Sequence, residues 1–152
     1  GVSNKEAKHY IESYLAHYSG VDSYMKNVVE KANADGYVET MFGRRRNLPE
    51  LTSSKHMIRA FGERVARNMP IQGTAADIIK IAMIKVDERM KAENLRARLV
   101  LQVHDELIVE APQDESMRVA LIVQEEMENA VKMSVPLTAD AAIGRTWYDA
   151  KG

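Results

Sequence analysis

The chain has 152 residues, of which 45% are hydrophobic and 28% charged, with a formal net charge of −1 and no cysteine. That length fits one domain or a piece of a larger one, and the apolar share is enough to bury a core. The lack of cysteine excludes disulfides and cysteine-ligated metals and fits a reducing cytoplasm; no apolar run approaches the roughly 20 residues a membrane span needs, and Gly1-Val2-Ser3-Asn4 lacks the layout of a signal peptide.

Ser3 and Glu6 form a capping box that opens a first helix, with Ala7, Ile11, Tyr14 and Leu15 on one face and an end near Ser19-Gly20. A second helix is predicted over 21–34, closed by Asp35-Gly36, and a short strand over 37–40. Residues 41–54, with Gly43, Pro49 and three consecutive arginines, read as a loop or irregular hairpin. A helix over 55–68 is expected to end or kink at Pro70, with Gly73 beyond it. Thr74 to Asp77 then caps a further helix to about Glu93, whose Ile78, Ile81, Ala82, Val86 and Met90 recur at helical spacing.

Two β-runs, 98–103 and 107–111, flank His104, Asp105 and Glu106 and signal a hairpin with largely buried flanks. Residues 112–131 read as an amphipathic helix with Met117, Leu121, Ile122 and Met127 inward. A final strand is predicted over 137–143, and Trp147-Tyr148 closes the chain. The sequence holds no internal repeat, low-complexity stretch or linker. The pattern is α+β, with helices packed on a small antiparallel sheet.

Charge is unevenly placed. Residues 42–69 carry seven basic and two acidic side chains, net +5, so the remainder carries −6. One cationic region on an acidic body suits phosphate binding, although a solvated loop followed by an amphipathic helix reads the same way. At the hairpin, two adjacent carboxylates repel each other and resist desolvation. A Mg²⁺ ion relieves both, since it takes oxygen ligands and completes its shell with waters and substrate phosphates. The plainer alternative is a solvated turn, because Asp is a favoured turn residue. Nucleotide-joining chemistry needs carboxylates from two places to hold two metals about 4 Å apart. The chain supplies one such place strongly.

Four blocks in order carry a resemblance. Gln102-Val-His-Asp-Glu-Leu-Ile-Val-Glu110 resembles the third polymerase motif of the bacterial DNA polymerase I family (family A). Thr40-Met-Phe-Gly-Arg-Arg-Arg-Asn-Leu-Pro49 is similar to the family's arginine-rich loop, and residues 63–77 to the block between these two. Residues 144–151 are similar to its usual C-terminus. The resemblance spans the chain. It implies a right-hand polymerase, with residues 1–152 supplying the end of the fingers and much of the palm and no exonuclease domain.

The resemblance further implies that Asp105 is a metal-binding palm aspartate, Glu106 its less critical neighbour, and His104 the histidine that approaches the primer terminus. Mg²⁺ is the implied cofactor, in a two-metal site shared with an aspartate outside this chain. Arg64, Asn68 and Gln72 match residues that read the minor-groove side of the primer–template. Arg64 and Asn68 are one helical turn apart, and Gln72 joins them if the chain at Pro70 allows it. The plain alternative for Arg64 is an ion pair with Glu63 or Asp77. Arg44, Arg45 and Arg46 suit DNA phosphates, with at least one of them structural, held by a carboxylate. Tyr37 and Tyr148 are expected to pack rather than to stack on bases.

The implied partners are primer–template DNA, a dNTP and the remainder of the polymerase polypeptide, with no membrane, in the cytoplasm at the nucleoid. The expectation is a DNA-directed DNA polymerase acting in replication and repair, with these 152 residues inactive by themselves. Two alternatives stand beside it: a phage-type single-subunit RNA polymerase segment, and a DNA-binding palm module without catalysis.

Overall fold

Ser3 caps the first helix as predicted. In the computed structural model, which describes residues 1–151, the Ser3 hydroxyl oxygen accepts the Glu6 N–H at 3.3 Å and the Glu6 carboxylate accepts the Ser3 N–H at 2.8 Å. Helix α1 (Asn4–His17) is followed after one residue by α2 (Ser19–Asp35), so Gly20 lies inside a helix rather than in a break. None of α1's residues is buried, and the predicted Ile11 and Tyr14 face is uncovered here. Gly36, at φ 77°, ends α2 in the left-handed conformation that glycine adopts without a Cβ penalty, its N–H donating to Ala32 O at 2.9 Å.

The chain divides into two compact units, residues 1–74 and residues from 75 onward. In the first, β1 (Tyr37–Glu39) pairs antiparallel with β2 (Arg45–Asn47), so the arginine-rich segment is a true hairpin, with Gly43 at φ 79° in its turn. A short 3-10 turn (Pro49–Thr52) follows. Ala32, Val38, Leu48, Leu51 and Ala66 form the core, with Val28, Val29, Val65 and Met69 against it.

Helix α3 runs unbroken from His56 to Ala92 with Pro70 inside it, which corrects the expectation of an end or separate cap near Pro70. An interior proline removes one hydrogen bond and crowds the preceding turn, a cost of about 3 kcal/mol. Here packing on the N-terminal side offsets it: Ala66 is fully buried and Met69 sits against the same core. On the other side the Thr74 hydroxyl donates to Pro70 O, tying the turn that follows the proline.

The second unit holds the rest of α3, hairpin β3 (Arg98–Val103) and β4 (Glu106–Glu110), α4 (Ser116–Glu128) and the short α5 (Trp147–Lys151). Its core is Val86, Met90, Ala97, Val119 and Ile122, lined by Leu95, Leu99, Leu107, Val109 and Val123. Helix α4 is shorter than the predicted 112–131, and its buried face is Val119 and Ile122. Met117 and Leu121, expected inward, are 76% and 45% exposed. Both buried residues of α4 belong to the core that Leu99, Leu107 and Val109 of the hairpin line, and a residue one step away on a helix points about 100° elsewhere.

Arg89 links α3 to α4 through Glu125 and Glu126, each at 2.7 Å, while Arg118 reaches Glu93 at 2.6 Å. The expected strand over 137–143 does not form: no strand partner lies beside it among the described residues, and its Ala139, Asp140, Ala141 and Ala142 are poor β-formers. The architecture is α+β, with helices packed on two separate two-stranded antiparallel sheets in place of one. No helix among the described residues is long and apolar enough to cross a membrane.

Candidate functional site

The β3–β4 hairpin places the first set of candidate residues. Val103 pairs with Glu106, which leaves His104 and Asp105 as a two-residue turn and makes Glu106 the first residue of β4. His104 sits at φ 54°, a region that costs a non-glycine residue on the order of 1 kcal/mol and recurs at functional turns. The Gln102 side-chain amide donates to His104 O at 2.6 Å and holds the turn in that shape. This accounts for a polar residue in an apolar strand.

Leu99, Leu107 and Val109 pack onto the second core, so the turn is presented by an anchored base. The flanks are nevertheless less buried than expected. Val100 and Leu101 are 51% and 46% exposed, because the register shifts between Leu99 and Leu101 and the sheet has only two strands.

His104 and Asp105 are exposed at the tip, and Glu106 is half-buried. The Lys151 ammonium lies 3.2 Å from the Glu106 carboxylate and 5.5 Å from the Trp147 ring. Thr146 and Asp149 cap α5 reciprocally, which fixes where Lys151 starts from. Sequence reasoning missed Lys151. A cation on a capped terminal helix was its only local signal. Tyr148, expected to pack, is 88% exposed.

The remaining candidates lie in the first unit. Because α3 continues through Pro70, Arg64, Asn68 and Gln72 stand at successive i, i+4 positions, and all three are exposed. The plain alternative of an Arg64–Glu63 pair is not realised: Glu63 pairs with Arg67 at 3.3 Å, and Arg64 instead lies over the Phe61 ring at 5.8 Å.

The three arginines of the loop differ. Arg45 bonds Glu39 at 3.1 Å and stacks on Tyr37 at 4.4 Å, so it is held by a carboxylate. Tyr37 thus packs, as expected. Arg44 donates to Gly73 O at 2.9 Å. Arg46 is exposed with no ion pair among the described residues, and is the most available for a phosphate.

A further set was not legible in the sequence. Thr40 and Thr74, 4% and 6% exposed, join the arginine turn to α3. The Met41 N–H donates to the Thr74 hydroxyl at 3.0 Å, and the Thr40 hydroxyl accepts the N–H groups of Phe42 at 3.3 Å and Arg44 at 3.2 Å. Gly73 permits the approach: a Cβ there would stand 2.7 Å from the Thr40 methyl. Read locally, Gly73 had looked like a helix breaker.

The carboxylates at the hairpin are oxygen donors with open surroundings. Among the described residues no group of three or more His, Asp or Glu side chains forms a closed metal cage. One or two carboxylates with room for water and phosphate oxygens match how Mg²⁺ is usually held.

Known proteins resemble this chain along almost its whole length. The sequence model of DNA polymerase family A matches residues 1–149. DNA polymerase I of Bacillus caldotenax is 54% identical over 150 residues, and that of Bacillus subtilis 52% over 151; each alignment covers 99% of this chain and 17% of the relative. The chain thus spans about a sixth of the length of these relatives. Among solved structures, the POL domain of Pol1 from M. smegmatis in complex with DNA primer-template and dNTP superposes with a TM-score of 0.94 at 47% identity, covering 99% of this chain and 27% of that one.

Proposed function

We propose, from the premise that this chain belongs to DNA polymerase family A, that it forms the end of the fingers and much of the palm of a template-directed DNA polymerase. The parent enzyme transfers a deoxynucleoside monophosphate from a dNTP to a primer 3′-hydroxyl, releasing pyrophosphate, in DNA replication and repair. The observation that carries this reading is the His104–Asp105 turn with Glu106 beside it: carboxylates held at the exposed tip of a core-anchored hairpin, in a chain of this family.

Asp105 and Glu106 would hold Mg²⁺ together with an aspartate supplied from outside these residues. Metal bound there would lower the pKa of the primer hydroxyl and stabilise charge on the departing pyrophosphate. Asp105 is the principal ligand in this reading. Glu106, already engaged by Lys151, is the lesser one. His104 donates to the primer terminus, its position set by the left-handed turn and by Gln102.

Arg64, Asn68 and Gln72 meet the minor-groove edge of the primer–template. The acceptors there are shared by all base pairs, so these side chains check the shape of a pair without reading sequence. Arg44, Arg45 and Arg46 lie along backbone phosphates, with Arg46 the freest to bind. A cytoplasmic, nucleoid-associated location follows from the DNA substrate. The 152 residues alone do not polymerise in this reading, because half of the carboxylate set lies elsewhere.

Asp105→Asn in the parent enzyme tests the assignment. Single-turnover incorporation is expected to fall by about a hundredfold or more, with primer–template affinity changed little. Equal loss of both would make Asp105 structural. A primer-extension assay on the 152-residue chain with Mg²⁺ tests the second claim, and robust incorporation would overturn it.

A further inference from the structure

The arginine turn and the exposed stripe of α3 are mechanically joined. Residues 40–44 close on themselves through Thr40 N–H to Arg44 O and Gly43 N–H to Thr40 O, both at 3.0 Å, and through the Thr40 hydroxyl. That closed turn is then fixed to one short stretch of α3. Met41 N–H meets the Thr74 hydroxyl, Arg44 meets Gly73 O, and the Thr40 methyl lies where a Gly73 side chain would be. The same Thr74 hydroxyl donates to Pro70 O, so one buried hydroxyl ties the turn and the proline step of the helix together. Gln72 lies between these anchors, next to Gly73, and Arg45 and Arg46 follow the turn directly.

We propose that Thr40, Gly73 and Thr74 are positioning residues that set the spacing between the arginine loop and the Arg64–Asn68–Gln72 stripe, and so determine how strictly the polymerase discriminates against a mispaired primer end. The inference rests on the primer-terminus role proposed above for that stripe. Its physical basis is that the arginines bind phosphate backbone and fix where the duplex sits, whereas the stripe contacts base edges. A fixed offset between them makes a correct pair reachable and a distorted one not. An error of about 1 Å in such an offset is enough to lose roughly a hundredfold in rate. The clasp is suited to the task because its two threonines are buried and short, and each hydroxyl makes two hydrogen bonds.

The test uses the full-length parent polymerase with Thr74→Val, Thr74→Ser and Gly73→Ala. Valine keeps the volume of Thr74 and removes the hydroxyl that Met41 and Pro70 share. Serine retains the hydroxyl. Alanine at 73 must displace Thr40. The readouts are kcat and KM for extending matched and mismatched primer termini, with thermal melting alongside.

Thr74→Val is expected to lower the matched-to-mismatched ratio of kcat/KM by roughly tenfold, and Thr74→Ser to restore most of it. Gly73→Ala is expected to follow valine. Should Gly73→Ala fail to fold, the Val and Ser pair decides. A ratio within twofold of the parent for Thr74→Val, with only the melting temperature lowered, overturns the proposal. Arg64→Ala and Gln72→Ala separate the two levels. If they alter the ratio and Thr74→Val does not, the clasp falls and the stripe's role stands. If neither they nor Thr74→Val alter it, both fall.

Discussion

Lys151 stands 3.2 Å from the Glu106 carboxylate, directly beside the turn that carries Asp105. The two side chains are 62% and 40% exposed, so the pair is screened and contributes at most about 1 kcal/mol to stability. Its larger effect is on the local field, because a cation at that spot competes with any divalent ion for Glu106. Lys151→Met is therefore expected to leave the melting temperature nearly unchanged. It should tighten Mn²⁺ binding at the turn by a few-fold, a change of about 1 kcal/mol, read from paramagnetic broadening at 104–106 in the parent enzyme. Unchanged Mn²⁺ binding would show that Lys151 and the metal do not share Glu106.

His104 is held at φ 54°. His104→Gly is expected to stabilise the hairpin by about 1 kcal/mol, because glycine adopts that backbone without strain. Catalysis in the parent should fall at the same time, since the imidazole is lost. His104→Val should destabilise by more than 1 kcal/mol, as a β-branched residue resists positive φ. Thermal melts of the two variants, which should move in opposite directions, check the assignment.

Glu93 is held below the ordinary carboxylate range, first by its hydrogen bonds from Arg118 and then by Arg89. A carboxylate with a lowered folded pKa adds stability above its unfolded value of about 4.5, and that stability is lost as pH falls through the folded value. Glu93→Gln is therefore expected to lower the melting temperature at pH 7 and to have a smaller effect near pH 3. An equal effect at both pH values would place the loss in packing and not in charge.

Ile122 is fully buried in the second core, whereas its neighbour Leu121 is 45% exposed. Ile122→Ala should destabilise by about 2–5 kcal/mol. Leu121→Ala should cost roughly 1 kcal/mol or less, in proportion to the smaller area it covers. Denaturant melts of the pair measure which face of α4 is the core face.

The two faces of α4 also mark what the sequence disclosed and what it withheld. Periodicity located the helix, and its apolar residues are numerous enough that 117/121 and 119/122 are both plausible stripes. Only the core that Val119 and Ile122 join, lined by Leu107 and Val109 of the hairpin, chooses between them. Residues 137–143 alternate like a strand, yet a strand exists only through a neighbour, and none lies beside it among the described residues.

Pro70 and Gly73 are two local helix breakers within four positions. The helix persists because Ala66, Met69 and Thr74 are held by tertiary contacts that a local reading does not contain. The local geometry of the candidate residues was more legible than the fold around them. The turn at His104 and Asp105, the arginine segment and the stripe at Arg64 and Asn68 are each set by residues a few positions apart. The clasp through Thr40 and Thr74 joins positions 34 residues apart, and no short-range pattern announces it.

The unbroken course of α3 through Pro70 turns three separate side chains into a graduated rule. At about 1.5 Å of rise per residue, Arg64 to Gln72 spans roughly 12 Å. Base pairs are stacked about 3.4 Å apart. Laid along a duplex, the stripe covers some three base-pair steps at once. On the primer-terminus role proposed for the stripe, an error left behind by one or two additions would still lie under the same helix edge, and the parent enzyme would sense a recent mistake as well as a present one.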